Sequence, residues 1–110
     1  MNQREIWYAN LNPTKGNEQK GFRPVVIISG DMLNKHLEIV IACLLTTKIK
    51  NYKGNVVLSP TKDNGLTKNS EIMIFHIRSI SKDRLIKRIG NISKTELANL
   101  KQGLDDILRY

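Results

Sequence analysis

Apolar positions fall in short runs separated by turn formers, a layout of strands with a single helical stretch at the end. Glu5–Leu11 (EIWYANL) mixes β-branched and aromatic residues in partial alternation and stops at Asn12-Pro13, which predicts a strand closed by a turn. Trp7 and Tyr8 then point to opposite faces, Trp7 into the core and Tyr8 available as a platform for a base. Pro24–Ser29 carries the unbroken run Val25-Val26-Ile27-Ile28, suited to a strand buried on both faces. Asp31–His36 fits one helical turn with Asp31 as N-cap. Glu38–Thr46 is a second apolar strand that ends abruptly in Thr46-Thr47-Lys48. Asn51–Gly54 predicts a turn and Asn55–Ser59 a short strand. A loop follows, in which Asn64-Gly65 suits positive φ.

Glu71–Ile80 places Ile72, Ile74, His76, Arg78 and Ile80 in one register and Met73, Phe75, Ile77 and Ser79 in the other. Both faces are largely apolar, so an internal strand is expected. Arg84–Ile92 gives one more short strand. The period then changes. Ser93 with Glu96 forms a capping-box pattern, and Leu97, Leu100, Leu104, Ile107 and Leu108 fall on one helical stripe. Gly103 within that helix predicts close packing. The sum is mostly β with α: a small SH3-like barrel or half-open antiparallel sheet with a C-terminal helix, expected as a single domain over residues 1–110.

Composition changes this picture in two respects. Eighteen Lys and Arg against ten Asp and Glu give a net charge of +8, which points to a polyanionic partner or to a merely solvated basic surface. The cations cluster: Lys48, Lys50 and Lys53 follow one apolar strand, and Arg78, Lys82, Arg84, Lys87 and Arg88 crowd another segment, so the two groups could form one face. Aromatic residues are only 5% of the chain, so a multi-aromatic stacking surface is not expected. Cys43, the single cysteine, sits among apolar neighbours and reads as buried and inert. No apolar run approaches the roughly 20 residues of a membrane span, and the start lacks a signal-peptide layout. The cytoplasm is the expected compartment, without a membrane partner.

No metal-ligand spacing, phosphate loop, dinucleotide fingerprint or nucleophile elbow occurs, so neither metal nor cofactor is expected. What remains is a glycine-flanked polar loop, Gly16 to Gly21, running through Arg23-Pro24 into a buried strand, with threonines where the next strand ends. A guanidinium fixed at the mouth of a rigid strand can hold two phosphate oxygens in a planar fork.

These residues carry a resemblance. Glu5-Ile6-Trp7, then Leu11-Asn12-Pro13, then Gly16-x-Glu18-Gln19-x-Gly21-x-Arg23-Pro24 before an apolar strand, resemble the opening of the MazF/PemK (Kid) family of toxin endoribonucleases. Leu45-Thr46-Thr47 is similar to the family's strand-end threonine, and Ile77-Arg78-Ser79-Ile80 to its later Arg-Ser/Thr-Ile signature. The resemblance implies a cytoplasmic homodimer on a CcdB/MazF-type barrel. It implies cleavage of single-stranded RNA at short preferred sequences without a metal, by attack of the ribose 2′-OH to leave 2′,3′-cyclic phosphate and 5′-OH ends. The implied catalytic residues are Arg23 and Thr46, and the implied partner is a MazE-like antitoxin with an acidic, disordered tail.

The chain departs from the family pattern at Phe75-His76, where several members carry a polar or acidic pair, and at Asn17, where some carry a histidine. His76 reads first as a histidine hydrogen-bonded on a half-buried sheet face and second as a third catalytic group. Asn17, Glu18, Gln19, Thr47, Lys48, Lys50, Lys53 and Arg78 are the expected RNA-contacting residues. Two alternatives stand beside the ribonuclease: a non-enzymatic CcdB-like toxin that binds a protein such as gyrase, and a nucleic-acid-binding module without catalysis.

Overall fold

A computed structural model describes residues 1–12 and 21–110. Among the described residues, six strands form one antiparallel sheet: β1 (Glu5–Asn10), β2 (Phe22–Ile27), β3 (Ile39–Thr46), β4 (Val56–Leu58), β5 (Ser70–Ser81) and β6 (Leu85–Asn91). A short helix α1 (Asp31–His36) joins β2 to β3, and α2 (Lys94–Arg109) closes the chain. The spatial order is β4-β5-β3-β2-β1-β6, with β4 and β6 as edges, so the sheet curls into a half-barrel rather than a closed one. The loop between β4 and β5 lies against the β6 edge, where the Asn91 amide donates to the Asp63 carbonyl at 2.9 Å.

Alternation along the strands builds two apolar layers. Ile6, Val26, Cys43, Leu45, Ile72 and Ile74 face α2, where Leu97 and Leu100 complete the main core. Ala9, Val25, Ile27, Val40, Ala42 and Ile80 form a second layer on the other face, with Trp7 and Leu44 packed beside it. Trp7 is thus half-buried, its indole N–H donating to Glu5 Oε1 at 2.9 Å, and Tyr8 lies on the opposite side. Cys43 is fully buried, and burial pushes its thiol up to about 12.

The capping box at Ser93 and Glu96 forms as predicted, both bonds present. Gly103 packs closely: a Cβ there would lie 2.3 Å from the Gly54 carbonyl oxygen, so only glycine lets the 50–55 loop rest on α2. The stripe ends sooner than expected. Ile107 and Leu108 are exposed, whereas Leu97 and Leu100 are buried.

Three further expectations are corrected. Asp31 is not the N-cap of α1; Gly30 occupies that position, and Asp31 Oδ1 accepts the Gln3 amide at 2.8 Å, tying the helix to the N-terminus. β5 is flanked on both sides only at its start, since three-residue β4 covers Ser70 to Ile72 and leaves β3 as the one neighbour of the rest. Its single register also breaks. Leu44 pairs Met73 but Cys43 pairs Ile77, so Ile74, Phe75 and His76 form a three-residue bulge. An odd insertion reverses the faces: Ile72 and Ile74 look toward α2, while Arg78 and Ile80 share the opposite face with Ala42 and Val40.

Candidate active site

The site begins with a proline. β2 lies between β1 and β3, yet its ladder to β3 starts only at Val25↔Leu44, one residue after Pro24. Pro24 has no N–H to give, so its place beyond the last pair costs no ladder bond. Past that point the strands part. Continuing the register Ile27↔Ala42, Val26↔Cys43, Val25↔Leu44 by two positions sets Arg23 across from Thr46, both on the face of Val25 and Leu44. They line one cleft of about 360 Å³ together with Phe22, Pro24, Leu45, Thr47, Lys48 and Ser70. Arg23 is exposed and Thr46 half-buried.

Thr46 Oγ1 accepts the Lys48 amide at 3.1 Å, which orients the hydroxyl and leaves its proton to be donated into the cleft. Among the described residues, this cleft is lined by no carboxylate and no imidazole. His76 lies in an adjoining cleft of about 550 Å³ that shares Thr46 and Lys48 and adds Lys50, Tyr52, Lys53, Met73 and Phe75. The expected half-buried histidine is therefore wrong. The bulge lifts His76 into solvent, its ring tilted against that of Phe75.

A third cleft, of about 410 Å³, shares Pro24, Thr47 and Ser70 with the first and adds Tyr8, Lys68, Lys87 and Arg88. The Arg23 cleft adjoins both others, through Thr46 and Lys48 on the side of Lys50 and Lys53 and through Pro24, Thr47 and Ser70 on the side of Lys68, Lys87 and Arg88. The two basic clusters of the sequence thus meet only in part. Arg84 is turned inward, its guanidinium donating to the carbonyls of Asn10 and Asn12 at the end of β1. Arg78 shares the Thr46 face but pairs with Ala42, four residues along β3, a distance of about 13 Å at ~3.3 Å per residue. It lines none of these clefts. Asn17, Glu18 and Gln19 lie outside the described residues.

The sequence reading missed Glu71, which is only 1% exposed. Its carboxylate accepts four donors from the β3–β4 loop: the amides of Lys50 (2.7 Å), Asn51 (3.0 Å) and Tyr52 (3.2 Å), and Asn55 Nδ2 (2.7 Å). Burial pushes the carboxyl up, but these N–H groups outweigh it and hold the pKa below the usual range. The available signal was a carboxylate at the head of an otherwise apolar strand. Among the described residues no cluster of three or more His, Cys, Asp or Glu could hold a metal, and no helix is long and apolar enough to cross a membrane.

A sequence model of the family described as "PemK-like, MazF-like toxin of type II toxin-antitoxin system" matches residues 2–108, and the chain belongs to that family. Among curated relatives, Endoribonuclease MazF of Staphylococcus saprophyticus is 33% identical over 107 residues, covering 96% of this chain and 88% of the relative. Endoribonuclease MazF9 of Mycobacterium tuberculosis is 34% identical over 110 residues, covering 94% and 92%. The fold matches that of the MazE-MazF structure from Deinococcus radiodurans at a TM-score of 0.80 and 25% identity, covering 98% of this chain and 95% of that one. The Mycobacterium tuberculosis toxin MazF-mt6 superposes with the same TM-score at 22% identity, covering 96% of each.

Proposed function

We propose that this chain is the endoribonuclease toxin of a type II toxin–antitoxin pair, acting in the cytoplasm as a homodimer on single-stranded RNA without a metal. The observation that carries the reading is the cleft that Arg23 and Thr46 line together just past the last β2–β3 pair, with basic clefts adjoining it on either side. In the proposed reaction the ribose 2′-OH gives up its proton and attacks the adjacent phosphorus, the bond to the 5′-oxygen breaks and that oxygen takes up a proton, and 2′,3′-cyclic phosphate and 5′-OH ends result. The nucleophile belongs to the substrate, so the protein must stabilise the charge that builds on the phosphorane oxygens. Arg23 offers a planar fork of N–H donors to two of those oxygens. Thr46 adds a neutral donor from the facing strand. Lys48, Lys50, Lys53, Lys68, Lys87 and Arg88 hold flanking phosphates. The same clefts suit an antitoxin with an acidic, disordered tail that orders across them and excludes RNA.

Incubating the purified protein with naked RNA in EDTA and mapping the ends tests the reading. Cleavage leaving 5′-OH ends is the expected result. Binding without cleavage would favour the nucleic-acid-binding module, and neither binding nor cleavage would favour a toxin with a protein target.

A further inference from the structure

The cleft beyond Thr46 contains a feature that a low aromatic content concealed. Tyr52 and Phe75 meet edge-to-face at 5.7 Å, and Phe75 and His76 lie at 5.0 Å with planes 48° apart. The rings come from the β3–β4 loop and from the β5 bulge. Tyr52 is 53% exposed and Phe75 49%, so both keep an open edge or face toward the cleft they line.

The shelf is held from beneath. Asn55 donates to the Glu71 carboxylate at 2.7 Å and accepts the Ile74 amide at 3.1 Å, so one side chain ties the loop to the bulge. Glu71 also accepts the Tyr52 amide itself. A surface fixed in this way loses little conformational freedom when it binds.

We infer that Tyr52, Phe75 and His76 form a stacking subsite for one unpaired RNA base beside the scissile phosphate, and that this subsite contributes to the choice of cleavage sequence. The inference rests on the ribonuclease reading of Arg23 and Thr46 and names what the adjoining cleft does. Charge decides the occupant. Lys48, Lys50 and Lys53 line the same cleft, so its ligand carries negative charge along with a flat apolar group, which describes a nucleotide. Thr46 belongs to both clefts, so a strand whose phosphate sits at Thr46 brings a neighbouring base over the rings.

Binding to a single-stranded oligonucleotide that spans a mapped cleavage site tests this, with a 2′-deoxy sugar at the scissile position and each base removed in turn. In the native protein, removing one base next to the scissile phosphate should weaken binding about tenfold. Phe75→Ala and Tyr52→Ala should each weaken binding of the intact oligonucleotide by a similar factor and show little further loss at that abasic position, with the salt dependence unchanged. Phe75→Leu keeps apolar volume without a ring and should behave like Phe75→Ala, which separates stacking from folding. If the protein cleaves RNA but the abasic penalty persists in all three variants, the subsite is wrong and the ribonuclease reading stands. The subsite is equally wrong if the variants change the oligomeric state and leave the penalty intact, since the rings would then be an interface. If the native protein neither cuts nor binds RNA, both readings fall.

Discussion

Two clefts meet at Thr46 and are built by different means. On the Arg23 side, the ladder between two neighbouring strands ends at Val25↔Leu44, and the side chains just past it line the cleft because the two strands are adjacent in the sheet. On the Tyr52 side, a bulge and a loop are brought together by a buried carboxylate and an asparagine. The first is a consequence of strand order. The second depends on tertiary hydrogen bonds, and damage to those bonds should spread through the whole cleft. The proposed division of labour follows the same line: charge stabilisation at the strand ends, substrate positioning at the pinned loop.

Arg23→Ala is the most damaging way to probe the first cleft. Losing the main charge-stabilising group should lower single-turnover cleavage by about 10²- to 10³-fold, on the order of 3–4 kcal/mol. Arg23 is exposed, so the melting curve should stay unchanged. Arg23→Lys keeps the charge and loses the fork, and should recover only part of the rate. A variant with cleavage within tenfold of the native rate would remove Arg23 from the proposed centre.

Next in size is the pin of the second cleft. Glu71→Ala strands several N–H donors and should lower stability by about 2–3 kcal/mol in urea denaturation. It should raise KM more than it lowers kcat, because the loop that carries Lys50, Tyr52 and Lys53 loses its anchor. The sign with pH is fixed. The folded pKa lies below the unfolded one, so the stabilisation is complete at neutral pH and fades as pH falls through the folded value. Glu71→Gln should remove that acid-side dependence. Parallel stability curves for Glu71→Gln and the native chain down to about pH 3 would show that the carboxylate does not carry it.

Thr46→Ala should cost less, about 10- to 100-fold in kcat, because it removes one neutral donor from a site where Arg23 remains. Thr46→Ser keeps the hydroxyl and should stay within a few-fold. Equal losses in both variants would show that the methyl group, not the hydroxyl, is what the site uses.

Sequence made the first cleft legible and left the second almost unread, for a physical reason. Arg23-Pro24 before a buried run, and Thr46 at the end of the next one, are marked by local chemistry, and antiparallel pairing of adjacent strands then brings them together. Strand and helix identities follow from the same local patterns, down to the capping box at Ser93. The β5 bulge is different. The run from Ile72 to Ile80 is apolar on both registers and carries no break in the chain, and only pairing with Leu44 and Cys43 reveals three extra residues. Six aromatic residues argue against a stacking surface only if they are scattered, and composition says nothing about placement. The basic cluster failed in the same way, since Arg84 spends its guanidinium on the end of β1.

The smallest effect should come from His76→Gln, and it separates the two clefts most finely. His76 lies across Thr46 from the Arg23 cleft, exposed on the bulge and in tilted ring contact with Phe75. As an outer ring of the shelf it contributes one flank of a surface whose centre is Phe75, so the substitution should change KM by no more than about threefold and leave kcat and its pH profile in place. A histidine that accepted the 2′-OH proton would behave otherwise. Its loss would lower kcat by about 10²-fold or more and delete one limb of the pH–rate profile, with folding intact. Comparing kcat against pH for the native chain and His76→Gln therefore assigns His76 to the positioning cleft or to the chemistry, and the bulge that carries it with it.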